Sequence, residues 1–183
     1  INGYHPEFWW KKGDYGVAIL SKKKPENVQK GFVGDSENDQ KRFIQGTFKW
    51  KQKKITIMNG YFPQGENRSH ETKFPKKIKF YDDLEKHIKK IKKVEDNLIV
   101  MGDFNVAPTE LDIGIGEQNA KRWLRDGKTA FLPEEIDMWN KIKNLGFLDS
   151  WRKQNPDEGS IYSWFDYRSR MFDDNPKRGL RID

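Results

Sequence analysis

In the stretch N-L-I-V-M-G-D-F-N, residues 97–105, a carboxylate (Asp103) and a carboxamide (Asn105) stand two positions apart. If the chain stays extended there, that spacing turns both side chains the same way. An acid beside an amide can hold a divalent cation, or position and deprotonate a water. The alternative is that both residues simply begin a turn. Three further clusters carry polar or aromatic groups suited to a site: N-G-Y-F-P-Q-G at 59–65, S-W-F-D-Y-R-S at 163–169 and R-G-L-R-I-D at 178–183. In the first, Gly and Pro fix a tight loop that can present Tyr61 and Gln64, unless Tyr61 instead anchors the loop in a core.

The surrounding pattern has to place these groups. Leu98, Ile99, Val100 and Met101 form an apolar run too short for a helix, which predicts a buried strand ended by Gly102. Strands are also predicted over 14–22, 28–32, 42–50 and 54–61, as a meander of antiparallel strands, with a loop through Gly34, Asp35, Ser36, Asn38 and Asp39. Phe74, Ile78, Tyr81, Leu84 or Glu85, Ile88, Ile91 and Val94 recur at three- and four-residue steps and predict one amphipathic helix over 72–95. Its other face is rich in Lys, which reads as solvent surface. This helix followed by the strand into Asp103 makes a crossover of the α/β kind. Further on, a short helix is predicted over 119–125 and a better one over 133–145, with Pro133 in its first turn and Gly146 as its stop. Residues 147–151 lead onto another element. Short strands are expected at 161–165 and from 180 onward.

The length of 183 residues suits one domain, and no linker composition divides it. Lys and Arg number 35 against 28 acids, a net charge of +7, which favours polyanionic partners such as nucleic acid. Mean hydropathy is −1.00, yet 14% of residues are aromatic, which points to a folded protein with a polar surface rather than a disordered one. There is no cysteine, so disulfides and thiolate metal sites are excluded. No apolar run reaches membrane-spanning length and the first residues do not look like a signal peptide, so a cytoplasmic monomer without membrane contact is expected.

Taken together, G-D-F-N, N-G-Y-F-P-Q-G, S-W-F-D-Y-R-S and R-G-L-R-I-D, with L-D-I-G-I-G at 111–116 and K-R-W-L-R at 121–125, resemble the exodeoxyribonuclease III branch of the endonuclease/exonuclease/phosphatase superfamily. The resemblance runs from about Tyr15 to Asp183. It implies a deoxyribonuclease I-like α/β fold, a four-layer sandwich of two mixed sheets flanked by helices, with the site where strand-exit loops converge. It implies a magnesium-dependent DNA repair nuclease, with manganese as a substitute, that cuts duplex DNA at abasic sites and removes nucleotides or blocking groups from 3′ ends. It also implies roles. Asp103 would activate or orient water and, with Asn105, neighbour the metal. Asn105 and Tyr61 would face the scissile phosphate, and Asp183 would orient a catalytic histidine. Trp164 and Leu180, with Phe165 behind, would form the pocket for a flipped, base-free sugar. Gln64, Lys121 and Arg122 would meet DNA phosphates.

The sequence also departs from that pattern. The branch's S-F-N-I-N-G-like strand, the metal-binding Glu of Q-E-T-K and the terminal S-D-H are absent, and His5, His70 and His87 do not match the histidine's place. The chain therefore reads as the central part of a single domain without its first and last strands, and a catalytically silent DNA-binding fragment is the competing reading. A phosphoinositide- or sphingomyelin-directed relative is a third, against which S-W-F-D-Y-R-S and L-D-I-G-I-G argue.

Overall fold

A computed structural model of the chain describes residues 2–13, 15–35, 40–93 and 97–183. Asp14, Ser36, Asn38, Asp39, Val94 and Glu95, assigned above to a strand start, a loop and a helix end, lie outside those residues. The chain forms two compact units, one of Ile1–Phe62 with Asp83–Phe104 and one of Pro63–Asp82 with Asn105–Asp183.

The first unit is built on strands. β1 (His5–Trp10) and β2 (Gly16–Ser21) form an antiparallel pair, running from His5↔Ser21 to Trp10↔Gly16. β3 (Asn27–Lys30), β4 (Phe43–Trp50), β5 (Lys53–Tyr61) and β6 (Leu98–Asp103) form a mixed sheet in that order, antiparallel as far as β5 and parallel between β5 and β6. The predicted meander thus holds for β3, β4 and β5, whereas β2 pairs with the unpredicted β1. Phe8 and Trp10 of β1 stay exposed, so its residues carry no alternation that marks a core face.

Helix α1 (Lys73–Ile91) makes the crossover that a parallel β5–β6 pair requires. Its buried stripe is Phe74, Lys77, Tyr81, Leu84 and Ile88, while Ile78, expected on that stripe, is 37% exposed. In its second half His87 is buried and shares a 2.7 Å hydrogen bond between Nε2 and Gln45 Oε1. Burial, helped by the charge of Lys90, pushes the His87 pKa down and holds the ring neutral.

β6 departs from expectation twice. Among the described residues it is an edge strand rather than a buried one, with Ile99 46% and Met101 51% exposed. Gly102 also does not end it, for the strand runs on to Asp103. Instead Gly102 adopts φ +122°, and a Cβ there would lie 2.0 Å from Gly60 O, so only glycine allows β5 and β6 this close.

The second unit is built on short helices and loops. Besides the first half of α1 it contains α2 (Glu117–Arg125), α3 (Pro133–Lys143) and α4 (Ser150–Gln154). The helix predicted from 119 begins two residues earlier, after Gly116, and the one from 133 begins at Pro133 as expected. Gly146, at φ +100°, lies just beyond α3. Ala107, Ile115, Ala130, Phe131, Met171, Leu180 and Ile182 form the core, with Trp123, Trp164 and Phe165 packed against it.

The strands expected at 161–165 and from 180 do not form. Leu180 makes isolated bridges to Trp164 and Ile113 instead. Ions take the place of a ladder here. Buried Asp112 accepts from Arg181 Nε at 2.7 Å, Arg152 Nη2 at 2.6 Å and Thr109 Oγ1 at 2.6 Å, and Arg181 Nη2 reaches Asp149 Oδ2 at 2.6 Å. Burial by itself would raise the Asp112 pKa. The bonds from Arg181, Thr109 and Arg152 outweigh it and hold the carboxyl below the usual carboxylate range.

Candidate active site

In the first unit the parallel register sets Tyr61 directly opposite Asp103, at the carboxyl ends of β5 and β6. The Phe62 N–H donates to Asp103 O at 2.8 Å and so extends the ladder one step beyond the strands. The carboxyl end of a parallel pair is where α/β sheets present ligand-binding groups. Tyr61 is further fixed by Arg42, which is only 5% exposed. The Tyr61 N–H donates to Arg42 O at 2.8 Å, and Arg42 Nη1 donates back to Tyr61 O at 3.0 Å. The guanidinium carbon lies 4.4 Å from the Tyr61 ring centre and 3.5 Å from that of Tyr15, while the two rings meet edge to face. The expectation for 59–65 had not included Arg42. Its only trace in the sequence is a charged residue at the mouth of an apolar strand.

In the second unit the predicted residues form two groups. Gln64 and Asn105 are brought together by a common donor, since Lys77 Nζ bonds to Gln64 O at 3.2 Å and to Asn105 O at 2.9 Å. Asn105 sits at φ +52°, so the extended conformation that would have aligned it with Asp103 does not persist through position 105.

Trp164, Phe165 and Leu180 form the second group. Trp164 and Leu180 exchange backbone hydrogen bonds of 2.9 Å in both directions, and all three residues belong to one apolar cluster. Trp123 of α2 meets Trp164 at a ring separation of 6.4 Å, which extends the aromatic surface. At the chain's last residue, the Asp183 N–H donates to Ser163 Oγ at 3.3 Å, beside Ile182 N–H at 3.0 Å. Lys121 and Arg122 are exposed on α2, partnered by Glu117 and Asn119 of the same helix.

The donor chemistry at Asp103 and Asn105, all oxygen, is of the kind a hard divalent cation takes. Among the described residues, however, no group of three or more His, Cys, Asp or Glu side chains converges, so they do not amount to a metal cage of their own.

These features have close parallels. The pattern of the endonuclease/exonuclease/phosphatase family matches residues 2–183, and the chain belongs to that family. Within it, the chain is 50% identical over 181 residues to Exodeoxyribonuclease III of Haemophilus influenzae, across 99% of this chain and 67% of that one. Among solved structures, a 3′-phosphatase from Neisseria bound to a product DNA hairpin superposes with a TM-score of 0.86 at 29% identity, over all of this chain and 65% of the other. An AP endonuclease from Archaeoglobus fulgidus gives 0.81 at 32% identity, again over 65% of its length. The chain thus spans about two thirds of the length of these relatives. The resemblance read from the motifs is borne out, as is the α/β fold class that it implied. Among the described residues no helix is long and apolar enough to cross a membrane.

Proposed function

We propose that this chain carries the central machinery of a nuclease of the exodeoxyribonuclease III type, acting on abasic sites and 3′ ends of duplex DNA. The observation that carries the reading is the pairing of Tyr61 with Asp103 at the carboxyl ends of two parallel strands. A phosphodiester is hydrolysed by a water made nucleophilic and by groups that stabilise charge on the non-bridging oxygens. Asp103 serves as the group that orients the water and accepts its proton. Tyr61, braced by Arg42, donates its hydroxyl to the phosphate, and Asn105 donates its amide. Asp183, whose N–H donates to Ser163 Oγ, is assigned the histidine-orienting role that the resemblance implies. A magnesium or manganese ion, with Asp103 and Asn105 among its ligands, would supply Lewis-acid stabilisation of the phosphate.

Selectivity rests on Trp164, Leu180 and Phe165. These residues form one apolar cluster, and an apolar pocket opened there would admit an extruded sugar without its base more readily than an intact nucleotide. Lys121 and Arg122, with the net charge of +7, provide sequence-independent, salt-sensitive attraction to the DNA backbone. A monomer acting in the cytoplasm belongs to the same proposal.

A DNA-binding chain that does not cut is the second reading, favoured by the lack of a three-residue metal-ligand cluster among the described residues. The deciding experiment incubates an abasic-site duplex with the chain in magnesium, in manganese and in EDTA, beside Asp103→Asn and Tyr61→Phe variants. Metal-dependent incision lost in Asp103→Asn is the expected result. Incision retained in that variant overturns the assignment of Asp103, and salt-sensitive binding without incision by the parent chain selects the second reading.

A further inference from the structure

We infer that Lys77, with Glu135 as its counter-ion, is a positioning residue that fixes the loops carrying Gln64 and Asn105. The inference rests on the nuclease reading for what those loops do, but not for how they are held. Both side chains are completely buried, and Lys77 Nζ bonds to Glu135 Oε1. An ammonium has three N–H donors. Here Glu135 Oε1, Gln64 O and Asn105 O accept one each.

The other carboxylate oxygen is used as fully. Glu135 Oε2 accepts the backbone N–H of Ala130 at 2.8 Å and of Leu132 at 2.9 Å. Leu132 is the N-cap of α3 and has no polar side chain, so the carboxylate three residues on does the capping from inside the core. The Lys77 stem is part of the same joint. Gly65, at φ +88°, lies so close to it that a Cβ would come within 3.1 Å of Lys77 Cδ.

Stability alone does not account for this arrangement. Removing two charges from water costs several kcal/mol per ion, and apolar replacements of similar volume are often as stable or more so. An apolar side chain at position 77 would also complete the α1 stripe of Phe74, Tyr81, Leu84 and Ile88. What it would lack is any means of holding two loop carbonyls at one point. That tether sets where Gln64 and Asn105 present themselves, and a shift of about 1 Å in such groups is worth roughly 100-fold in rate.

The test compares the parent with Lys77→Met/Glu135→Gln, which removes both charges and keeps an oxygen at position 135 for Ala130 and Leu132. Amide hydrogen exchange is read at Asn67, bonded to Gly65 O, and at Ala107, bonded to Ala130 O, with Asn144, the C-cap of α3 bonded to Asn140 O, as the control. Incision and binding of an abasic-site duplex are measured alongside. The expected outcome is a folded variant with tenfold or faster exchange at Asn67 and Ala107, unchanged exchange at Asn144, and kcat lowered 10-fold or more with KM little altered. Exchange and kcat within twofold of the parent overturn the inference.

Should the neutral pair not fold, Lys77→Arg decides. Faster loop exchange with reduced kcat supports positioning, and a lowered Tm with parental exchange and kcat overturns it. If the parent neither binds nor cuts the duplex, the nuclease reading fails, and the exchange data alone decide whether Lys77 holds the loops.

Discussion

The two units solve the problem of an interior by different means. Among the described residues, the first packs Ile44, Met58, Leu84 and Ile88 fully buried, joins neutral polar groups such as Thr47 with Thr56 at 3.0 Å and His87 with Gln45, and sets its buried cations Lys41 and Arg42 against aromatic rings. The second sets full charges inside, Lys77 with Glu135 and Asp112 with Arg181 and Arg152. Strands satisfy their backbones through the ladder and need only apolar side chains between layers. Loops have no ladder, so their carbonyls and N–H groups must be gathered by side chains with several donors or acceptors. The buried ions of the second unit take the place of hydrogen bonds that a sheet would have supplied.

That contrast can be broken most severely at Asp112. Replacing it by Ala leaves Arg181 and Arg152 without their shared partner, and a loss of about 3–5 kcal/mol is expected in denaturant unfolding. In the first unit, Gly102→Ala forces a methyl against Gly60 O at a left-handed backbone angle. About 2 kcal/mol is expected there, accompanied by loss of incision because Tyr61 and Asp103 are the next pair along. A smaller effect, about 1 kcal/mol, is expected for Thr47→Val, which removes one neutral hydrogen bond from the same core.

Acid titration sharpens the comparison, because the two interiors titrate in different ranges. His87 is held neutral in the fold, so its protonation favours the unfolded chain. Its contribution is complete above about pH 6.5 and declines as the pH falls from there. Asp112 is held charged. Its contribution is present above about pH 4 and is lost only as the pH drops through its lowered native value. Stability curves should therefore show two acid-sensitive ranges, the upper one absent in His87→Gln and the lower one reduced in Asp112→Asn.

The same division explains what the sequence revealed. In the first unit the periodicity of 54–61 announces β5, because alternation records which side chains face a core, whereas β4, expected from an imperfect alternation over 42–50, is buried along its first six residues. Tyr61 and Asp103 could be singled out as residues, but their pairing depends on the β5–β6 register, which no local pattern encodes. In the second unit periodicity misleads. The apolar residues at 161–165 and 180–182 suggest strands, although Leu180 and Ile182 are buried as single plugs in a loop core and Ile161 is exposed. There the helices α2 and α3 were legible, α3 from its start and stop signals, but the loop core was not, and only the match of whole motifs to a known family carried information about it. Lys77 was passed over because the Lys-rich face of α1 hides one lysine that stands on the apolar stripe. A lone charge in register with Phe74, Tyr81, Leu84 and Ile88 was the available clue.

One contact inside L-D-I-G-I-G reaches beyond this molecule. The Tyr162 ring, whose hydroxyl donates to Gly159 O at 2.5 Å, occupies the space where a Cβ on Gly114 would be, only 1.9 Å from its Cζ. Positions 114 and 162 are therefore not free to drift separately. Homologous chains bearing any side chain at the first should have surrendered the aromatic at the second, a correlation that aligned sequences can confirm or refute without a single purified protein.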